Sequence, residues 1–203
     1  MPLDDFYYTI DAPLRAPDVK VKGSRFIAEI APVQTKEMVE HYLAGIRKEF
    51  HDATHHSFAY RLGVDALQVR AADDGEPSGT AGKPILLVLT ARKLTNVILV
   101  VTRYFGGTKL GTGGLARAYA EAAQQAVSMS KVVKVYLTRE LSLEVHYEDV
   151  PRMERLVHAF GGLIEESTYL ASVTLRVAIR TSQWEEFLRA VTDSFQGRVE
   201  PRF

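Results

Sequence analysis

Two stretches hold most of what could do chemistry. "RYFGGTKLGTGGLARAY", residues 103–119, sets five glycines between an aliphatic run and an alanine-rich helical pattern. A strand, a glycine-rich turn and a helix together expose backbone N–H groups and a helix amino terminus, which is a pocket for an anion. Arg103 at the entrance and Lys109 inside are the cations that would complement a phosphate or carboxylate, and Gly106, Gly107, Gly111, Gly113 and Gly114 supply bare backbone. Tyr104 and Phe105 beside them offer an aromatic face for a base. The loop is not a Walker sequence, because Thr112 stands where lysine is required. Residues 111–116 fit a relaxed dinucleotide fingerprint, but the acidic ribose partner expected about twenty residues on is missing. The competing reading is a tight turn whose positive-φ glycines pack a helix on its strand.

The second stretch is "DDGEPSGTAGKP", residues 73–84. Asp73, Asp74 and Glu76 surround a turn-forming glycine ahead of Ser78, Thr80 and Lys83, so carboxylates, hydroxyls and a cation fall within one loop. Such carboxylates could hold Mg²⁺ with several waters kept, while the glycine loop takes the phosphates of the same ligand. The alternative is a polar turn ending in a capped helix, with Asp74 or Glu76 paired to Arg103 or Lys109 where the loops meet. "HDATHH" adds His51, His55 and His56; His51 and His55 would share a face if helical. A zinc clip needs a third ligand that the sequence does not name, and hydrogen bonding at a helix-to-strand junction is the other role.

Elements must position these loops. "RFIAEIAPV" reads as a strand, and Thr35 caps a helix whose Met38, Val39, Tyr42, Leu43, Ile46 and Phe50 share a face. "HSFAYRLG" and "ALQVRAAD" read as a strand pair; the apolar run after Pro84 is a helix or a buried strand, with length favouring the helix. "NVILVVTR" is a strand covered on both faces, and a helix is expected over residues 115–129 with six alanines. Leu141, Leu143 and Val145 then alternate as a strand. A helix capped by Asp149 carries Val150, Met153, Leu156, Val157 and Phe160, and Gly161 and Gly162 stop it. "LIEESTYL" and "SVTLRVAI" form a hairpin, a capping box from Ser182 to Glu185 opens a second helix, and "RVEPRF" is a last strand. The order βαββαβ is that of a ferredoxin-like domain.

Composition sets the bounds. The chain has 203 residues, equal numbers of basic and acidic side chains, and no cysteine, which excludes disulfides, thiolate metal sites and cysteine nucleophiles. No apolar run is long enough for a membrane helix and no leader pattern opens the chain, so no membrane association and a cytoplasmic address are expected. Up to Lys134 there are 17 basic and 14 acidic residues, against 8 and 11 beyond it. Any anionic partner is therefore expected on the first part, through a local patch rather than an overall field.

With these residues in view, the chain resembles the YigZ/IMPACT family over almost its full length, through "DDGEPSGTAGKPIL", "VVTRYFGGTKLGTGGLARAY" and, more weakly, "HHSFAYRL". The resemblance implies a two-domain α+β protein. Residues 1–134 would be similar to the second domain of a small-subunit ribosomal protein and to domain IV of elongation factor G. Residues 135–203 would be a ferredoxin-like domain like domain V of the same factor. It also implies helix after Pro84. Eukaryotic members are translation regulators that compete for a coactivator of a starvation-responsive initiation-factor kinase, a pathway bacteria lack. What carries over is a non-enzymatic, translation-linked role without a cofactor, with RNA, the ribosome or a protein as partner, no DNA specificity, and the two loops as binding surface. The alternative is an enzyme that binds a phosphate ligand through Mg²⁺ on Asp73, Asp74 and Glu76.

Overall fold

The hydrophobic pattern resolves into two contact units. The computed structural model describes residues 5–64 and 66–203. Residues 7–135 form one unit; residues 136–203, with Asp5 and Phe6, belong to the other.

In the first unit the elements run β1 (Phe6–Ile10), β2 (Leu14–Arg15), β3 (Val19–Val21), β4 (Ser24–Pro32), α1 (Lys36–Glu49), β5 (His55–Leu62), β6 (Gln68–Ala72), α2 (Gly82–Ala91), β7 (Val97–Tyr104), α3 (Gly111–Met129) and β8 (Val132–Tyr136). The main sheet has the order β2-β4-β7-β5-β6, with β3 also on β4, and every pairing is antiparallel. β1 and β8 make a separate two-stranded sheet.

Strand β7 explains the aliphatic run. Leu99 and Val101 pack with Phe26, Ile85, Leu89, Ala118 and Ala122 on one face, while Ile98 and Val100 pack with Val39, Leu43, Ile46 and Phe58 on the other. A strand buried on both faces needs apolar residues at every position, so it shows no alternation. Helix α1 covers the second face. Its Thr35 hydroxyl accepts the Met38 N–H at 3.3 Å, the expected cap. Helices α2 and α3 cover the first, and the buried face of α3 is mostly alanine, Ala118, Ala122, Ala123 and Ala126, with Leu115, Tyr119 and Val127 as its larger side chains. Lys22 and Gly23, at φ of 45° and 82°, form the two-residue turn from β3 to β4; two positive φ values in succession match a type I′ hairpin.

The second unit continues β9 (Thr138–Val145), α4 (Val150–Ala159), β10 (Leu163–Tyr169), β11 (Val173–Arg180), α5 (Trp184–Phe195) and β12 (Pro201–Arg202). Its strand order is β10-β11-β9-β12, all antiparallel, which is the ferredoxin-like arrangement expected from the βαββαβ order. Leu141, Leu143, Val145, Leu175 and Val177 pack with Met153 and Val157 of α4 and Phe187 and Val191 of α5 in one core.

Three local expectations are corrected. Helix α3 begins at Gly111 rather than at Leu115, so Gly111, Gly113 and Gly114 form its first turn. The capping box at Ser182 does not form; a short 3₁₀ turn over Thr181–Gln183 precedes α5, and the Ser182 hydroxyl donates to the Asp5 carboxylate instead. Asp149 precedes α4 without a side-chain cap bond, again after a 3₁₀ turn.

Candidate functional site: two loops clasped by a buried ion pair

The two signature stretches meet. Arg103, at the end of β7, donates through Nη1 to Glu76 Oε1 at 2.6 Å, and the residues are only 4% and 8% exposed. Tyr119 of α3 donates its hydroxyl to the same Glu76 oxygen at 2.7 Å, and its own hydroxyl lies 3.4 Å from Ser57 Oγ on β5. Burial pushes the Tyr119 phenol far up, with the Glu76 hydrogen bond adding to it, so Tyr119 is a fixed donor. Arg103 Nη2 donates to Ser24 Oγ at 3.2 Å, and the same oxygen accepts the Gly106 N–H at 3.2 Å. One guanidinium therefore ties the residue 73–83 loop, the β3–β4 turn and the glycine loop together. Of the two readings of Arg103, an available cation or the partner of Glu76 where the loops meet, the structure shows the second: the group is buried and committed to Glu76.

The other two carboxylates are equally engaged. Asp73 accepts the N–H groups of Gly79, Ala81 and Gly82 at 2.8, 3.0 and 2.9 Å, so it caps α2 from nine residues upstream. Burial raises the Asp73 pKa, but these three bonds outweigh it and hold the carboxyl below the usual range. Asp74, at φ 50°, accepts the His56 N–H at 2.7 Å and pairs with Arg47 at 3.1 Å. Asp73, Asp74 and Glu76 thus aim at three different partners. Among the described residues no group of three or more His, Asp or Glu is placed to hold a metal ion, so the magnesium donor set does not assemble.

The remaining loop residues divide between buried and exposed. Thr80 is buried and donates to the Pro77 carbonyl at 2.6 Å, whereas Ser78 and Lys83 are exposed. Tyr104 donates to Asp52 at 2.7 Å under the Arg25 guanidinium. Gly106 serves close packing, since a Cβ there would sit 1.9 Å from the Gly23 carbonyl carbon. Gly107 and Gly111 have positive φ, and Gly113 has neither constraint. Lys109 and Arg117 are exposed, Arg117 falling on the first turns of α3 where sequence reading had not singled it out. Tyr119, Ser57 and Ser24 were missed too; a tyrosine inside an alanine-rich buried face, which needs a hydroxyl partner, was the available signal.

The histidines do not form a clip. His51 lies exposed in the turn after α1, and His55 and His56 are on β5, so no helix brings His51 and His55 to one face. His55 Nδ1 faces the Asp74 carbonyl at 2.8 Å and His56 Nε2 the Phe50 carbonyl at 3.1 Å; a carbonyl only accepts, so both nitrogens carry the proton. Burial pushes the His56 pKa down, against smaller opposite pulls from Phe50 and Asp74. The unfolded chain binds this proton near pH 6.5 and the folded chain only below that. Stability is therefore full above about pH 7 and falls as the pH drops through the histidine range. Urea midpoints at about pH 7.5 and 5.5 should show this drop, and His56→Gln should flatten it. An undiminished drop in the variant would place the acid sensitivity elsewhere. Asp73 adds nothing in that window, because its contribution is lost only below the carboxylate range.

Between the loops lies a cavity of about 330 Å³ lined by Glu76, Pro77, Arg103, Phe105, Lys109, Leu110, Gly111, Thr112 and Leu115. Phe105 is 48% exposed, with the Arg103 guanidinium 5.4 Å from its ring centroid. The second unit has a cavity of about 220 Å³, but its walls are bridged by their own ion pairs, Arg202–Glu144 at 2.9 Å and Arg198–Asp149 at 3.7 Å.

Comparison with known proteins places these loops in a family. Residues 22–127 match the Impact N-terminal domain, and residues 143–198 match a domain of unknown function, DUF1949. IMPACT family member YigZ of Escherichia coli (strain K12) is 36% identical over 183 residues, 89% of this chain and 90% of that protein. IMPACT family member YvyE of Bacillus subtilis (strain 168) is 34% identical over 183 residues, 90% and 84% of the two chains. A solved structure described as "Crystal structure of an hypothetical protein" superposes with a TM-score of 0.70 at 34% identity over 98% of both chains. Both signature loops fall inside the Impact N-terminal match, and these relatives cover about nine-tenths of the chain: the chain belongs to the IMPACT family.

Proposed function

We propose that this chain is a non-enzymatic regulatory protein linked to translation, which binds ribosomal or other structured RNA through the residue 73–83 and 103–114 loops. The link to translation comes from the family resemblance. The observation that carries the RNA reading is the start of α3. This helix of 19 residues has no side-chain cap and no acid in its first turn, and exposed Gly111, Thr112 and Gly113 stand beside exposed Lys109 and Arg117. An uncapped helix start with flanking cations attracts phosphate. The carboxylates and hydroxyls around it are engaged with one another, which fits a binding surface better than a reaction centre.

Two exposed cations set a modest electrostatic term. Two phosphate contacts reduce affinity about tenfold between roughly 50 and 200 mM salt. The test is co-sedimentation with ribosomes at both salts, parent chain beside a Lys109→Ala/Arg117→Ala variant. Both side chains are exposed, so the fold should be unaffected. Salt-sensitive binding that the variant loses is expected; a parent chain that fails to sediment with ribosomes at low salt overturns the proposal.

A further inference from the structure

The cavity beside α3 has a composition that a plain phosphate site would not need. Pro77, Leu110, Leu115 and the open face of Phe105 are apolar, and they stand against Lys109 and the first helical residues Gly111 and Thr112. Its inner wall is Arg103, whose guanidinium lies 5.4 Å from the ring centroids of both Phe26 and Phe105. That places a cation against one face of the Phe105 ring and leaves the ring about half exposed. Arg103 also has a donor left over: Nη1 serves Glu76 and Nη2 serves Ser24, while the buried Nε has no hydrogen-bond partner. The volume is at the low end of the range of about 300–1,000 Å³ typical of ligand sites, room for one flat group and its substituent.

We infer that this cavity receives one unpaired nucleotide of RNA, with the base on the Phe105 ring and Pro77, and the phosphate on the first turn of α3 and Lys109. The inference rests on the RNA reading above and names the form of RNA that the site takes. Aromatic rings and cations together are how unpaired bases are held, because a stacked base must leave its helix. An acidic peptide would use the cations and leave the apolar wall unfilled. Among the described residues Glu76 is the only carboxylate lining the cavity, and Arg103 and Tyr119 already occupy its Oε1; Thr112 and Lys109 stand at the helix start, where the phosphate would lie, so few side chains face the base edges. Recognition should therefore tolerate any base.

Fluorescence anisotropy with labelled oligouridine, oligoadenosine and a duplex of matching length tests this. The parent chain should bind both single strands with similar affinity and the duplex more weakly. Phe105→Ala should weaken single-strand binding about tenfold, as loss of one stacked base implies. Phe105→Trp should restore it, and duplex binding should be unchanged in either variant. Equal affinity for duplex and single strands overturns the nucleotide site. So does an inert Phe105→Ala where Lys109→Ala/Arg117→Ala loses binding, and both results leave the RNA reading in place. A chain that binds ribosomes but neither single strand has the same meaning, whereas one that binds no RNA in any form removes both.

Discussion

Glu76→Ala should cost about 3–5 kcal/mol in urea unfolding of the first unit, the range for removing one partner of a buried pair. The Arg103 guanidinium, 4% exposed, would lose its counter-charge, and the Tyr119 hydroxyl would lose its acceptor at the same step. Desolvation has already been imposed on both groups, so the cost is that of leaving them unpaired rather than the net strength of the pair. Glu76→Gln keeps an acceptor for Tyr119 but no charge for Arg103, and should fall between the parent and Glu76→Ala. Glu76→Leu combined with Arg103→Met should recover part of the loss, because apolar replacement of a whole buried pair is often neutral. A loss below about 1 kcal/mol for Glu76→Ala would mean that water reaches the pair.

Gly106→Ala should be nearly as damaging, about 3 kcal/mol at the upper end of overpacking costs. The new Cβ would meet the Gly23 carbonyl carbon at 1.9 Å, its oxygen at 2.2 Å and the Ser24 nitrogen at 2.3 Å. All three are backbone atoms of a type I′ turn and cannot rotate away as a side chain would. The turn must move, and with it Ser24, which holds both Arg103 and the Gly106 N–H. Gly113→Ala is the internal control: its Cβ would have only the Arg117 guanidinium within 4 Å, at 3.7 Å, and its helical position should gain up to about 1 kcal/mol. Thermal unfolding of the two variants in parallel separates glycines kept for packing from glycines that leave backbone open. If Gly106→Ala matched the parent, the turn and the loop would not be in contact in solution.

The second unit was almost wholly legible because its strands each bury one face and its helices one stripe, so Leu141, Leu143 and Val145 or Phe187 and Val191 announce their period. In the first unit β4, the β5–β6 pair and β7 were legible from their apolar runs, and α1 and α2 from the Thr35 cap and the length of the run around Pro84. β1, β2 and β3 went unread: they are two to five residues long, interrupted by Pro13 and Pro17, too short to show alternation. In the site, residue types were read correctly and their burial was not. Arg103 could be read as an open cation or as the partner of Glu76, and nothing local decided between them, because Glu76 lies 27 residues away and burial is a property of the folded chain. Asp73 looked like a metal donor because a cap supplied from outside the helix leaves no local pattern. The glycines of residues 103–114 invited two readings, an anion pocket and a positive-φ turn, and divide three ways: close packing at 106, positive φ at 107 and 111, and open backbone at 113.

The pairing of β1 with β8 also sets a timetable. The strand made first has as its neighbour the strand that closes the unit: the Asp11 N–H reaches the Lys131 carbonyl at 3.0 Å, and Lys131 bonds back to the Asp11 carboxylate across 120 residues of chain. At about 5–20 residues per second on the ribosome, β1 waits roughly 6–24 seconds for that partner to be synthesised. The six-stranded sheet between them can assemble in the interval, since all its strands lie within residues 14–104. Until residue 132 is made, β1 is held by the segment around residues 94–96, where Tyr8 accepts the Thr95 N–H and Thr9 donates to the Asn96 carbonyl, and an expression fragment that stops short of residue 132 would keep the β8 side of that strand exposed.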